Sequence, residues 1–270
     1  MQAQQTVRSA NVYPENGFAL DLPLGEFSGI IEGRYEARLA KNSIETASAL
    51  RLRHKVFSVE LGGEAATQGS PGVEFDAYDF RCRHLIVIDR DTSETVGTYR
   101  LNTIETAGGT RGFYSSNEFT TGMLPLDVLQ NGIEIGRACI AKEHRNTKVL
   151  FLLWKGLLRY LRVTEKRYFF GCCSLFTQDE QAGAAAFWKM VQDGHFHDDL
   201  WVTPCANAID LTNLADDPTL ELPSLFNMYL RIGAKVCGPP MIDREFGTID
   251  FFVVFDVTKM NEKYRWMFGG

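Results

Sequence analysis

The stretch that most constrains this chain runs from Thr147 to Val163, where Leu150, Leu153, Trp154, Leu157, Leu158 and Leu161 recur at helical spacing and gather on one face. A face this apolar has to be covered. Its neighbours indicate by what: Gly132 to Ala141 reads as a strand, and Tyr168 to Phe176 is a continuous apolar run, the pattern of a strand buried on both sides. Strand, helix, buried strand is the nucleus of a sheet with a helix laid across it.

The rest of the chain extends that sheet. Gly33 to Leu39 alternates as a first strand. Asn42 or Ser43 can cap a helix that carries Ile44, Ala47, Leu50, Val56 and Phe57 and stops near Gly62-Gly63. Glu64 to Val73 reads as a loop. His84 to Asp89 and Glu94 to Ile104 read as a hairpin across the turn between Asp89 and Ser93. Phe113 to Phe119 is a short helical or looped piece. Asp179 to Gln192 and Pro223 to Ile232 read as helices, and Ala234 to Gly238 and Thr248 to Asp256 as strands. This order predicts an α/β (mixed α+β) fold, with helices on both faces of one sheet. At 270 residues and 45% hydrophobic content, one folded unit over 33–258 is expected, after an irregular arm at 1–32 and before a tail at 259–270.

A formal net charge of −6 argues against a general nucleic-acid binder, which needs a basic face for phosphate. Local basic runs, such as Lys142 to Lys148, still allow an acidic partner. No stretch reaches the roughly 18–20 apolar residues of a membrane span, and the N-terminus (Gln2, Gln4, Gln5, Arg8) lacks an apolar signal core. A cytoplasmic protein is expected. Cys82, Cys139, Cys172, Cys173, Cys205 and Cys237 show no C-x-x-C spacing and read as reduced, mostly core residues. His195 and His197 lack a further ligand set, so no metal is expected.

Charged residues interrupt the apolar segments at Arg51 to Lys55, Asp76 to Asp79, Arg100, and Glu134 with Arg137. Such charges are costly unless paired or used. Glu134 and Arg137 lie three apart on one strand and point to opposite faces unless a bulge intervenes; if both serve one cleft, the strand is irregular at Gly136. Glu134 could then accept a proton, directly or through water, while Arg137 orients a carboxylate. The competing reading makes each half of a structural ion pair. Asp76 and Asp79 with Arg81 and Arg83 suggest a surface salt-bridge cluster, and His84 is a hydrogen-bond donor to one of these carboxylates or a catalytic base. The strand ending near Ile140 and the helix starting at Thr147 enclose a turn with Arg145 and Lys148, which is either a phosphate site at a helix N-terminus or an ordinary turn with solvated charges.

At these residues the chain resembles known families. Arg51-Leu-Arg-His-Lys-Val-Phe57, Glu74-Phe-Asp76-x-x-Asp79, Val96-Gly-x-x-Arg100-Leu and Glu134-x-x-Arg137 are similar to the acyl-homoserine-lactone synthases. Cys82-x-His84-Leu, Phe113-Tyr-Ser-x-x-Glu118-Phe, Glu134-x-Gly-Arg-x-Cys139, Leu153-Trp154-x-Gly156, Phe170-Gly-Cys-x-Ser174 and the segment Lys235 to Phe251 resemble the ornithine lipid synthases more closely. These are acyl-carrier-protein-dependent amino acid N-acyltransferases of the GNAT superfamily. The resemblance implies a GNAT fold, with a mostly antiparallel twisted sheet splayed at its central strand. It implies transfer of a long, in some cases 3-hydroxylated, acyl chain from acyl carrier protein to the α-amine of an amino acid such as ornithine or glycine. It also implies a transient contact with the inner membrane. Catalytic roles would fall to Glu134, Arg137 and His84, and substrate binding to Arg53, Phe57, Asp76, Asp79, Arg100 and Asp250. The carrier's 4'-phosphopantetheine, a donor arm rather than a resident cofactor, would meet Ile140, Ala141, Arg145, Asn146, Thr147 and Lys148. The CoA-type signature of GNAT enzymes is absent, since Glu143-His-Arg-Asn-Thr-Lys148 stands in its place. Gly63 stands where the lactone synthases carry a tryptophan, which favours N-acyl transfer over lactone formation. A lactone-type signal synthase and a non-catalytic carrier-binding module remain the alternatives.

Overall fold

The computed structural model describes residues 27–62, 72–212 and 221–265; most of the expected arm, the loop beginning at Glu64, Gly63 and the end of the tail lie outside them. Nine strands form one sheet in the order β1-β2-β3-β4-β5-β6-β9-β7, with β8 also paired to β9. They are β1 (Ile30–Glu32), β2 (Tyr35–Leu39), β3 (Arg83–Asp89), β4 (Glu94–Thr103), β5 (Gly132–Ile140), β6 (Tyr168–Leu175), β7 (Lys235–Val236), β8 (Met241–Asp243) and β9 (Thr248–Asp256). The helices are α1 (Ser43–Arg53), α2 (Ile104–Ala107), α3 (Leu126–Gln130), α4 (Thr147–Val163), α5 (Glu180–Gln192), α6 (Ser224–Ile232) and α7 (Glu262–Arg265).

All pairings are antiparallel except β5 with β6. That exception follows from the intervening α4, because a helical crossover returns the chain in the same direction. Asn146 starts α4 by accepting from the Val149 amide at 3.1 Å. Its buried face, with Leu152, Leu153, Leu157 and Leu161, lies across β1 to β5, each leucine contributing about 1.5–3 kcal/mol by leaving water.

Two expectations change at the ends. Ile30–Glu32 is a strand paired to β2 rather than part of an irregular arm, and Phe27 is already buried. At the other end Met260 is buried, so packing continues past residue 258. The first helix is capped by Asn42, whose side chain accepts from Glu45 N at 3.0 Å; past Arg53 it widens into a π-helical segment over His54–Glu60.

The geometry that positions a site lies at β5. Its parallel pairing with β6 covers only Gly132, Ile133 and Glu134 against Tyr168, Phe169 and Phe170, after which the strands part. On its other edge the register against β4 slips, so that Tyr99 stands opposite both Arg137 and Ala138. Arg137 takes φ 51°, a left-handed conformation that costs a non-glycine residue about 1–2 kcal/mol. The irregularity anticipated at Gly136 therefore falls one residue later. Gly171 lets β6 approach at the fork, where a Cβ would lie 2.3 Å from the Ile135 carbonyl oxygen.

Candidate active site

Tyr99 and Arg100 are consecutive on β4 and point to opposite faces of the sheet. The Tyr99 hydroxyl bonds that of Tyr229 on α6, whereas Arg100 Nη1 donates to Asp76 at 2.6 and 2.7 Å. Both residues line the same cavity of about 390 Å³, within the size range of small-molecule sites. The cavity therefore passes through the sheet, by way of the fork between β5 and β6. At one end it is apolar, walled by Trp154, Leu157, Leu158, Phe226, Tyr229 and Phe255; at the other it is charged, with Arg100, Tyr114, Glu118, Glu134, Arg137 and Asp250.

Behind the charged end lies a buried ionic network. Arg53, 1% exposed, pairs with Glu74 and grips Asp79 at 2.6 and 3.0 Å. Arg137 donates to Glu74 at 3.2 Å and to Asp76 at 3.1 Å. Three guanidinium groups thus meet three carboxylates, a balanced set. Burial alone would raise the Asp79 pKa, but the guanidinium groups of Arg53 and Arg100 hold it far below the carboxylate range. Arg137 is also clamped between rings, its guanidinium carbon 4.6 Å from the Tyr114 centroid and 4.4 Å from that of Phe246.

The surface cluster expected of Asp76, Asp79, Arg81 and Arg83 is thereby corrected. Both aspartates turn inward to the three arginines because a buried guanidinium demands a fork of acceptors, and Arg81 instead donates to the Gly112 carbonyl at 2.7 Å. His84 is buried and does not line the cavity. Its Nε2 lies 3.4 Å from the Asp79 carbonyl, and burial lowers its pKa to about 4. It sits neutral beside Asp79, outside the cavity lining. Arg53, Asp76 and Asp79 likewise act from behind the wall, whereas Phe57, Arg100, Glu134, Arg137 and Asp250 face the cavity.

Glu134 is fully engaged. One oxygen accepts from the Ser115 amide and hydroxyl, each at 2.7 Å, and the other from the Tyr114 amide at 2.9 Å and Asn102 Nδ2 at 3.2 Å. It holds the turn Tyr114–Asn117 against β5. The Ser115 hydroxyl in turn accepts from the Cys172 thiol at 3.6 Å.

Sequence reasoning left Glu118 and Asp243 without a role. With Asp250 they bring carboxylate oxygens within 4.8 Å of one another. Burial, and then the neighbouring Asp250, pushes Glu118 up to about 8. The local signal was an acid set immediately before Phe119, a core residue. The residues expected to meet the carrier do not line the cavity: Asn146 caps α4, while Arg145 is held by Glu60 and donates to the Ile140 carbonyl at 3.1 Å.

A mostly antiparallel sheet forked at its central strand, with a crossover helix following that strand, defines a GNAT-fold acyltransferase, and residues 52–155 match the family described as acetyltransferase (GNAT) domain. The fold is also similar to solved acyl-homoserine lactone synthases. One, named BjaI, superposes with a TM-score of 0.47 at 14% identity over 84% of this chain and 80% of its own. Another, LasI, gives 0.48 at 11% over 87% and 95%.

Sequence relatives are more specific. The L-ornithine N(alpha)-acyltransferase of Rhodobacter capsulatus is 30% identical over 247 residues, spanning 86% of this chain and 93% of the relative. That of Brucella abortus is 29% identical over 251 residues, 88% and 89% of the two chains. The chain belongs to this family of L-ornithine N(alpha)-acyltransferases: it is an acyltransferase acting on an amino acid.

Proposed function

We propose that this enzyme transfers a long fatty acyl chain, plain or 3-hydroxylated, from acyl carrier protein to the α-amine of ornithine, giving an N-acyl amino acid. The observation that carries the reading is the cavity through the sheet, which offers an apolar bore for the chain and a charged chamber for the amino acid on opposite sides of the β5–β6 fork. A thioester placed at the fork would present its carbonyl to the amides of β5 that face the gap; such donors stabilise an oxyanion by about 3–4 kcal/mol. The phosphate of the carrier's pantetheine arm would meet the start of α4 and Lys148. Arg145 is less available, being paired with Glu60.

Arg137 is the group best suited to the acceptor carboxylate, because it lines the charged chamber with its planar guanidinium, which Glu74 and Asp76 hold in place through Nε and Nη2. An α-ammonium with a pKa near 8 is only about one-tenth neutral at pH 7. The Ser115 hydroxyl can pass its proton to Glu134 as it takes one from the amine. Nitrogen then attacks the carbonyl carbon, the C–S bond breaks, and the carrier thiol leaves with a proton.

The test is release of carrier thiol by purified protein supplied with acyl carrier protein bearing a long acyl chain and a panel of amino acids. Amine-dependent release, greatest with ornithine, is expected. A requirement for S-adenosylmethionine would favour a lactone synthase. Carrier binding without turnover on any amine would leave a non-catalytic module.

A further inference from the structure

The amino acid chamber contains an anionic corner that the transfer chemistry does not use. Glu118 on the segment after the Tyr114–Asn117 turn meets Asp243 and Asp250 of the β8–β9 hairpin, so that two distant parts of the chain bring their carboxylate oxygens within 4.8 Å. Asp243 Oδ1 accepts from the amides of Glu245 at 2.9 Å and Phe246 at 3.0 Å, and Asp250 accepts from the Thr248 hydroxyl at 3.2 Å. Glu118 differs from both. It is 5% exposed, and neither of its oxygens has a partner at ordinary hydrogen-bond geometry; the Cys172 thiol and the Tyr114 hydroxyl, its neighbours, interact with it only weakly and carry no positive charge. Buried beside two other acids, such a group keeps its proton in the ligand-free protein, and an incoming cation would let all three carboxylates ionise together. The positive charge that acts on Asp250 is that of Arg137, which is already engaged by Glu74 and Asp76.

We propose that Glu118, Asp243 and Asp250 seat the side-chain ammonium of a dibasic acceptor amino acid and so select it over neutral amino acids. This rests on the amino acid N-acyl transfer proposed above. An alkylammonium carries three donors, and three acceptors about 2.8 Å from a tetrahedral nitrogen stand roughly 4.6 Å apart, which fits the span of the three carboxylates. A hard divalent cation would call for about six oxygens at shorter range. The trio is also the wrong surrounding for the nucleophilic nitrogen, since nearby anions hold a proton on an amine. It suits the nitrogen that stays charged throughout the reaction. With Arg137 on the α-carboxylate and the trio on the far ammonium, the α-nitrogen is left between them, toward Ser115 and the fork.

The experiment compares L-ornithine with L-norvaline, which has the same carbon chain and no side-chain amine, in wild type and in Glu118→Gln and Asp243→Asn, using long-chain acyl carrier protein and product mass spectrometry. The wild type is expected to prefer ornithine by about tenfold or more in kcat/KM, as the loss of charge-assisted hydrogen bonds dictates. Each variant should lower that ratio severalfold, chiefly through the KM for ornithine. Equal use of the two amino acids by wild type overturns the inference while leaving N-acyl transfer intact, and needs no folded variant. An equal loss on both substrates in the variants overturns it in favour of a general catalytic or structural role. Activity abolished by a chelator and restored by Mg²⁺ overturns it in favour of a metal site. Acylation of neither amino acid by wild type removes the parent reading, and this inference with it.

Discussion

Replacing Arg53 with alanine tests how the charged wall behind the cavity is held. Arg53 supplies one of three positive charges to a network of three carboxylates, and both it and Glu74 are almost fully buried. Without it, Glu74 keeps Arg137 at 3.2 Å, and Asp79 keeps Arg100 at 3.3 Å and the Asp76 amide at 2.9 Å. Three anions then face two cations. One uncompensated buried charge costs about 3–5 kcal/mol, which at about 2–4 °C per kcal/mol lowers the melting temperature by roughly 6–20 °C. The loss should depend on pH. In wild type the Asp79 pKa is depressed, so its stabilisation is present above the ordinary value of 3.8 and is lost only on strong acidification. In Arg53→Ala burial prevails, the carboxyl pKa rises, and the folded variant can take up a proton as pH falls. Urea denaturation at pH 5 and pH 8 should therefore show a smaller destabilisation at pH 5. A loss below about 1 kcal/mol, or one equal at both pH values, would refute the description of the network as a balanced buried set.

Ser115→Ala keeps both backbone amides on Glu134 but removes the hydroxyl relay, so kcat should fall at least about tenfold with little change in the KM for the amino acid; an unchanged kcat in steady-state assays would eliminate the relay. Glu118 has a pKa of about 8 in the folded protein against an ordinary 4.5, so the folded state holds a proton that the unfolded chain has released. Stability of the ligand-free protein should thus fall as pH rises across that window, by up to about 1.4 kcal/mol per unit. Glu118→Gln should flatten the slope in thermal melts, and an equal slope in the variant would contradict the assignment. Gly171→Ala places a Cβ 2.3 Å from the Ile135 carbonyl and should destabilise by about 1–3 kcal/mol; a melting temperature equal to wild type would mean that the fork is not closely packed there.

The fold was legible wherever one periodicity ran long enough. The β3–β4 hairpin, α4 and the apolar β6 followed from spacing because each buries a regular face. β1 and β8 are three residues each, too short for alternation to register, and β8 follows Pro239-Pro240. Glu134 and Arg137 were legible as paired candidates, and so was the need for a bulge between them, because two charges three apart cannot share a cleft on a regular strand. What Glu134 touches was not legible, since its donors come from Asn102 and from a turn with no periodic signal. Nor was the trio of Glu118, Asp243 and Asp250, which exists only after the loop that holds Glu118 is brought against the β8–β9 hairpin more than 120 residues later. His84 stayed open between two roles because a histidine among arginines and carboxylates reads the same whether it lines a cavity or stands one layer behind.

The central claim is that the acyl chain threads the sheet at the β5–β6 fork while the amino acid waits on the other side. The most direct measurement loads acyl carrier protein with a fatty acyl chain bearing a photoreactive group at its far end, irradiates the complex, and maps the crosslinks by mass spectrometry. Adducts are expected on α4 and α6, at residues such as Leu157, Leu158, Phe226 and Tyr229. Adducts confined to the charged chamber, around Tyr114 and Phe246, would contradict it.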